Sequence, residues 1–331
     1  MKPSSRTPRV DFERLARELL RSLRGRRSCA EFSKRIGYRS NIAQRWEKAE
    51  CWPTAARFLE IHQRMRPGHP SWLRSFFGDS ALPDWARTCH PASPEAVAMF
   101  LTHLKGKTPI VRLAELTHES RFSVARWLDG GAQPKLPEFL RLVEASSRRV
   151  LDLAGAFVDP AELPSARDRW NELQLARESA YAHPWSHAVL RALELADRPA
   201  RVDQQIPWMA AKLSLDEGQV RSALDVLLRT GQVEKRRGYR PRQVIAVDTS
   251  REPERALALK AMWTETALER LRAKAPGTYG YSVFAVSRAD LARLKALHSQ
   301  YVRAMQEVIA SSTPSECVGL YCAQLLDLGQ T

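Results

Sequence analysis

Asn41, Gln44, Arg45 and Lys48 recur at helical spacing within residues 28–60, SCAEFSKRIGYRSNIAQRWEKAECWPTAARFLE, and so share one helix face. The chemistry available to them is recognition rather than bond making. Asn and Gln carry a donor beside an acceptor and match an adenine edge bidentately, Arg matches guanine in the same way, and Lys meets phosphate as a point charge. Ile42, Ala43 and Trp46 form the opposite, apolar face, and Ser40 is the expected N-cap of this helix. Ahead of it the spacing predicts a short helix over 29–36. Gly37 then stands where a sharp turn needs a left-handed backbone.

Phe32, Ser33, Ile36, Gly37, the run Arg45-Trp46-Glu47 and Pro53 together resemble the lambda repressor/Cro class, the XRE type of helix-turn-helix. The resemblance implies that the second helix enters the major groove, that Arg39, Ser40, Asn41, Gln44 and Arg45 face DNA, and that Phe32, Ile36, Ala43 and Trp46 hold the two helices together. It also implies two-fold sites bound by dimers, hence a homo-oligomer. Two positions depart from the family pattern. Ser33 replaces the usual alanine at the helix crossing, and Ala49 stands where a glycine usually ends the reading helix.

The charge distribution agrees with a polyanion partner. The chain of 331 residues carries +15, and residues 1–66 hold 17 basic against 7 acidic side chains, two-thirds of the excess on one-fifth of the length. Double-stranded DNA is the expected partner; anionic membrane is the rival polyanion, but no long apolar run, secretory signal or lipidation signal is visible. Five cysteines without a CxxC spacing argue against a disulfide framework or structural zinc and fit a reducing cytoplasm.

Taken in order, residues 1–10 read as a flexible basic arm, and Phe12, Leu15, Leu19 and Leu23 give the first helix an apolar stripe. Residues 11–66 form the expected helix-turn-helix domain and 67–93 a linker. A second unit then repeats the first. At a shift of 81 positions, Arg45-Trp46, Pro53 and Phe58-Leu59 fall on Arg126-Trp127, Pro134 and Phe139-Leu140. Residues 94–158 are therefore expected to be a diverged helix-turn-helix. At the positions of Asn41, Gln44, Arg45 and Lys48 stand Phe122, Ala125, Arg126 and Asp129, of which only Arg126 suits DNA. Backbone contact or domain packing is the expectation there.

Residues 159–185 read as a connecting helix and 186–250 as a winged-helix-like domain, with helices over 187–196, 206–213 and 216–229. Strands over 232–235 and 243–247 should flank a basic turn of Arg236, Arg237 and Arg240. Two readings stand for this wing, phosphate contact and dimerisation. Residues 251–331 are expected to be a small α+β module: a helix over 253–273, β-rich residues 281–286, a capping box at Ser287 and Asp290 opening a helix to about 311, and a closing strand over 317–326. This second half resembles a domain of unknown function found in uncharacterised multi-domain bacterial regulators.

The fold class expected is thus mainly α, tandem helix-turn-helix domains followed by a winged helix and an α+β module. No phosphate-cradling glycine loop, metal cluster or nucleophile motif is visible, so no catalytic residue, metal or cofactor is expected. His183 and His187 are separated by Pro184 without an HExxH pattern. The expected function is a bacterial, cytoplasmic, sequence-specific DNA-binding transcription regulator, with a protein-binding adaptor or antitoxin-like scaffold as the alternative.

Overall fold

The computed structural model describes residues 10–78, 82–242, 247–249 and 252–329. It is mainly helical and divides into two compact units, 1–174 and 175–331. The expected basic arm lies, apart from Val10, outside the described residues.

The first unit opens with α1 (Phe12–Arg24), capped by Asp11, whose carboxylate accepts the Arg14 N–H. Its Leu15, Leu19, Leu20 and Leu23 are buried. α2 (Cys29–Arg35), α3 (Ile42–Glu47) and α4 (Ala55–Met65) follow. Residues 67–93, read from sequence as a linker, instead contain α5 (Trp72–Phe77), whose Trp72, Leu73, Phe76 and Phe77 are buried, and the short α6 (Trp85–Thr88). Four large apolar side chains in six residues cannot stay in water, so the stretch is core rather than tether.

A second set repeats the first: α7 (Pro94–Lys105), α8 (Ile110–Thr117), α9 (Arg121–Leu128), α10 (Leu136–Ser147) and α11 (Val150–Gly155). The repeat extends to individual backbone conformations. Gly37 (φ +92°) and Ala49 (φ +61°) take left-handed geometry, and so do His118 (φ +56°) and Gly130 (φ +82°), each 81 positions on. The Tyr38 N–H donates to the Ser33 carbonyl at 2.9 Å, and the Glu119 N–H donates to the Ala114 carbonyl at 3.1 Å.

The two sets meet through their own equivalent residues. Thr54 and Lys135 form an antiparallel bridge; the Ala55 N–H donates to the Pro134 carbonyl and the Leu136 N–H to the Pro53 carbonyl, both at 2.9 Å. Each bond becomes the other under the 81-residue shift, which places an approximate two-fold axis between Thr54 and Lys135. The exchange continues outward. α1 packs on α10, α7 packs on α4, and α5 packs on α11. The junction is aromatic: Phe100 lies 4.8 Å from Trp72, 5.1 Å from Phe76 and 6.0 Å from Phe139, centroid to centroid.

His62 sits in the same junction, 4% exposed, with its ring 5.0 Å from Phe157 and 5.7 Å from His69. Burial, helped by the neighbouring His69 and Arg66, lowers its pKa to about 4 from an ordinary 6.5. The unfolded chain therefore binds a proton near pH 6.5 that the folded chain refuses until about pH 4. The stability tied to His62 is complete above pH 6.5 and falls as the pH drops toward 4. Between pH 7 and pH 5 the loss amounts to about 2 kcal/mol. Denaturant unfolding at the two pH values should show a smaller loss in His62→Phe than in wild type; equal losses would exclude His62 as the source.

After a 3-10 turn (Pro160–Glu162), α12 (Arg167–Ala182) crosses the division between the units. In the second unit α13 (Pro184–Ala192), α14 (Val202–Leu213) and α15 (Glu217–Arg229) share a core of Val189, Leu190, Met209, Val220, Leu224 and Leu227. β1 (Val233–Lys235) and β2 (Tyr239–Pro241) pair antiparallel with Glu234 opposite Arg240. The second strand was expected at 243–247; it begins at Tyr239, and residues 243–246 lie outside the described residues. Gln205 fixes this earlier register. Buried in α14, it accepts the Tyr239 N–H at 2.6 Å and donates to the Tyr239 and Pro199 carbonyls. At Gly238 a Cβ would press into the Ala200 carbonyl oxygen, so only glycine lets the turn approach this closely.

α16 (Pro253–Arg272) and α17 (Arg288–Ser311) complete the described elements. Ser287 caps α17, accepting the Asp290 N–H at 3.1 Å, while its hydroxyl donates to the Asp290 carboxylate. The strands expected over 281–286 and 317–326 are absent; among the described residues β1 and β2 are the sheet. A strand needs a neighbour to take its N–H and C=O groups, and among the described residues neither stretch has one. The C-terminal region is therefore helical with extended arms rather than α+β.

Candidate nucleic-acid interface

Local sequence shapes the α2–turn–α3 segment. Ser28 accepts the Glu31 N–H at 3.2 Å and Glu31 takes the Ser28 N–H at 2.8 Å, a reciprocal cap that starts α2. Gly37 ends it, and Arg57 of α4 pins the turn by donating to the Ile36 carbonyl at 2.6 Å while lying over the Tyr38 ring.

The start of α3 differs from expectation. Ser40 is not its cap: Asn41 holds the cap position but makes no side-chain capping bond, and the Ala43 N–H reaches across to the buried Ser33 hydroxyl at 3.0 Å. Ser33 in turn donates to the Cys29 carbonyl at 2.7 Å. Ser33 thus fastens α3 to α2, a role its hydroxyl and its place in the crossing make possible but its spacing from Ala43 does not advertise. Ser40 is freed to lie exposed on the surface.

The end of α3 is set by Ala49, whose φ of +61° supplies the left-handed residue for which glycine is the usual choice. The Cβ costs roughly 1–2 kcal/mol in that conformation, partly offset by the chain entropy a glycine would lose. Ala49→Gly should therefore raise the unfolding free energy by about 0.5–1 kcal/mol in a denaturant titration. A destabilised variant would mean that the Ala49 side chain packs more than it strains.

Glu47 holds α3 against α1. Its carboxylate accepts Arg21 Nε at 3.0 Å and Arg24 Nε at 2.6 Å, with the Cys29 thiol at 3.7 Å. Burial pushes the Glu47 carboxyl up, but the hydrogen bonds from Arg24 and Arg21 outweigh it and hold the group below its ordinary value. Trp46 and Ala43 are buried beneath, with Trp46 edge-on to Tyr38 at 5.7 Å.

The outer face is then left to solvent: Arg39, Ser40, Asn41, Gln44, Arg45 and Lys48 are all exposed. Asn41 Nδ2 donates to Gln44 Oε1 at 3.0 Å, so the two amides form one hydrogen-bonding edge. Arg45 leans on Glu50 at 3.6 Å with both side chains about half exposed, a contact water and salt readily replace. This face offers paired amide donors and acceptors, one guanidinium and flanking cations; it holds no nucleophile or base.

On α9 the equivalent face is spent differently. Phe122 is 71% exposed, and Arg126 stacks on it while donating to the Gly131 carbonyl at 2.9 Å. Trp127 is only partly buried, unlike Trp46. In the second unit Arg236, Arg237 and Arg240 are exposed around the β1–β2 turn, Arg236 within 3.3 Å of Glu234.

The second unit also holds a half-open cleft of about 940 Å³ lined by Ser179, Leu190, Lys260, Trp263 and Tyr321 among others. Sequence reasoning did not find it, since its walls come from α12, α13, α16 and the extended stretch 320–324, which no linear pattern joins. The helices and ribbon around it coincide with a named segment. Residues 165–325 match DUF4423, a domain of unknown function. No curated protein and no solved structure matches the chain. The DUF4423 segment therefore includes α13–α15, the ribbon, the cleft and both long C-terminal helices, while the α3 face lies outside it. Among the described residues no cluster of His, Cys, Asp and Glu has metal-binding geometry, and all five cysteines are free. No described helix is long and apolar enough to cross a membrane.

Proposed function

We propose that this chain is a sequence-specific, double-stranded-DNA-binding transcriptional regulator of the cytoplasm whose major-groove reader is the helix-turn-helix formed by α2 and α3. The observation that carries the reading is the division of α3: its inner face is buried and pinned through Ser33 and Glu47, with Arg57 holding the turn ahead of it, while Asn41, Gln44, Arg45 and Lys48 stand together in solvent. A polar face held this firmly on a strongly basic domain fits base-edge readout by the first two amides and Arg45, with Arg39 and Lys48 on phosphate.

The internal two-fold relation adds a second helix-turn-helix, α8 and α9, to the same chain. Its poorer face suits backbone attachment through Arg126. The ribbon beside α15 acts as a wing, with Arg236, Arg237 and Arg240 toward phosphate. The exposed apolar trio Val111, Leu116 and Phe122 on α8 and α9 favours a second reading for that repeat alone, a protein contact.

Selection from a random-sequence DNA library, followed by sequencing of the bound fraction, tests the proposal. An enriched motif is the expected result. Salt-sensitive binding without a motif would reduce the protein to an architectural binder, and no binding at all would favour the adaptor.

A further inference from the structure

Thirteen of the 21 exposed large apolar side chains among the described residues lie between 279 and 328. Tyr281 is 96% exposed, Val283 81%, Val308 68% and Leu328 81%. Between 276 and 329 no described side chain is buried, although the segment contains a 24-residue helix. Helices of that length draw their stability from packing an apolar face; on α17 Leu291, Leu294 and Met305 are half-buried and Tyr301 meets Tyr321, while Leu297, Tyr301, Val308 and Ile309 keep most of their apolar surface exposed.

The face has a definite period. Leu291, Leu294, His298, Tyr301, Met305 and Val308 follow one another at alternating steps of three and four, the seam that lets one helix wind around another of the same repeat. His298 is the single polar residue in it, the kind of position that fixes register.

We propose that a second copy of this chain covers this segment, with α17 pairing against its counterpart along the seam 291–308 and the extended stretches 281–286 and 317–326 finding their strand partners across the same interface. Three observations select a second copy. Weighted by exposure, the thirteen side chains present on the order of 1,000 Å², slightly more than one partner's share of a standard interface. The segment is electrically neutral in a chain of +15, with Arg288, Arg293, Lys295 and Arg303 against Asp290, Glu307, Glu316 and Asp327, so two copies meet without repulsion and a polyanion gains nothing. Finally, both unpaired extended stretches belong to one chain, which thereby carries its own complement. The inference stands apart from DNA recognition, since the segment 279–328 lies outside the α2–α3 helix-turn-helix.

Sedimentation of the full chain over a concentration series, with circular dichroism as the folding control, tests this. Wild type should sediment at twice the chain mass at micromolar concentration. Leu294→Asp/Tyr301→Asp in the seam, and separately Tyr281→Asp/Val283→Asp in the extended arm, should each weaken dimerisation at least about 30-fold with helix content retained. The second pair decides if the first unfolds the chain. A wild type that remains monomeric at roughly 100 μM, well above the weakest specific association expected of such an area, overturns the proposal. A dimer that neither pair weakens overturns it equally, because its interface lies elsewhere.

Discussion

Asn41→Ala/Gln44→Ala/Arg45→Ala is expected to erase the sequence preference of DNA binding while a salt-dependent background survives. Each bidentate base contact discriminates by about 1–3 kcal/mol, so losing the paired amides and the guanidinium should lower affinity for the selected motif by roughly 10²- to 10⁴-fold. The three side chains are exposed, and none supports the core that positions α3, so the folded state should lose at most a few tenths of a kcal/mol per site. Lys48→Ala is the contrast. It should weaken binding to all sequences alike and reduce the slope of log K against log salt by about one. Anisotropy titrations on motif and scrambled duplexes at several salt concentrations separate the two effects. A triple variant that still prefers the motif would move the reader away from α3, and the next surface to test would be α9 or the wing.

Phe100→Ala should be the most damaging single change in the first unit, at about 3–5 kcal/mol. Phe100 is fully buried and its ring touches Trp72, Phe76 and Phe77 of α5 and Phe139 of α10. Removing it leaves a cavity at the junction of the two repeats, where α7 also packs on α4. The expected result in thermal or denaturant unfolding is a large drop in the transition assigned to residues 1–174, together with weaker motif binding. A loss below about 1 kcal/mol would mean that the aromatic cluster collapses around the gap.

How much of this was legible beforehand depends on the range of the interaction. The turn at Gly37, the buried Ala43 and Trp46 and the exposed Asn41, Gln44, Arg45 and Lys48 follow from helical periodicity and backbone sterics, which act over four residues and are written into any short stretch. The same holds for α15, α16 and α17, and for the 81-residue repeat that the backbone conformations reproduce. The capping of α3 was not legible, because the sequence holds several hydroxyls near Ala43 and only the crossing of α2 and α3 brings Ser33 to it.

The remaining differences share one cause, partners distant in sequence. Trp72–Phe77, read as part of a linker, became core once α5 had α11 to pack against. The second strand of the ribbon moved forward to Tyr239 because Gln205, thirty-four residues away, satisfies its backbone. The stretches 281–286 and 317–326 have the residue types of strands and yet form none, for propensity selects the extended backbone but a neighbouring edge must complete it. The sequence alone determined α1–α3 and α15–α17 and which face of α3 meets water, since these depend on residues one or two turns apart. Only the tertiary structure decided that the repeats close on each other through Thr54 and Lys135 and that the C-terminal segment is left uncovered, since each depends on which distant surfaces meet.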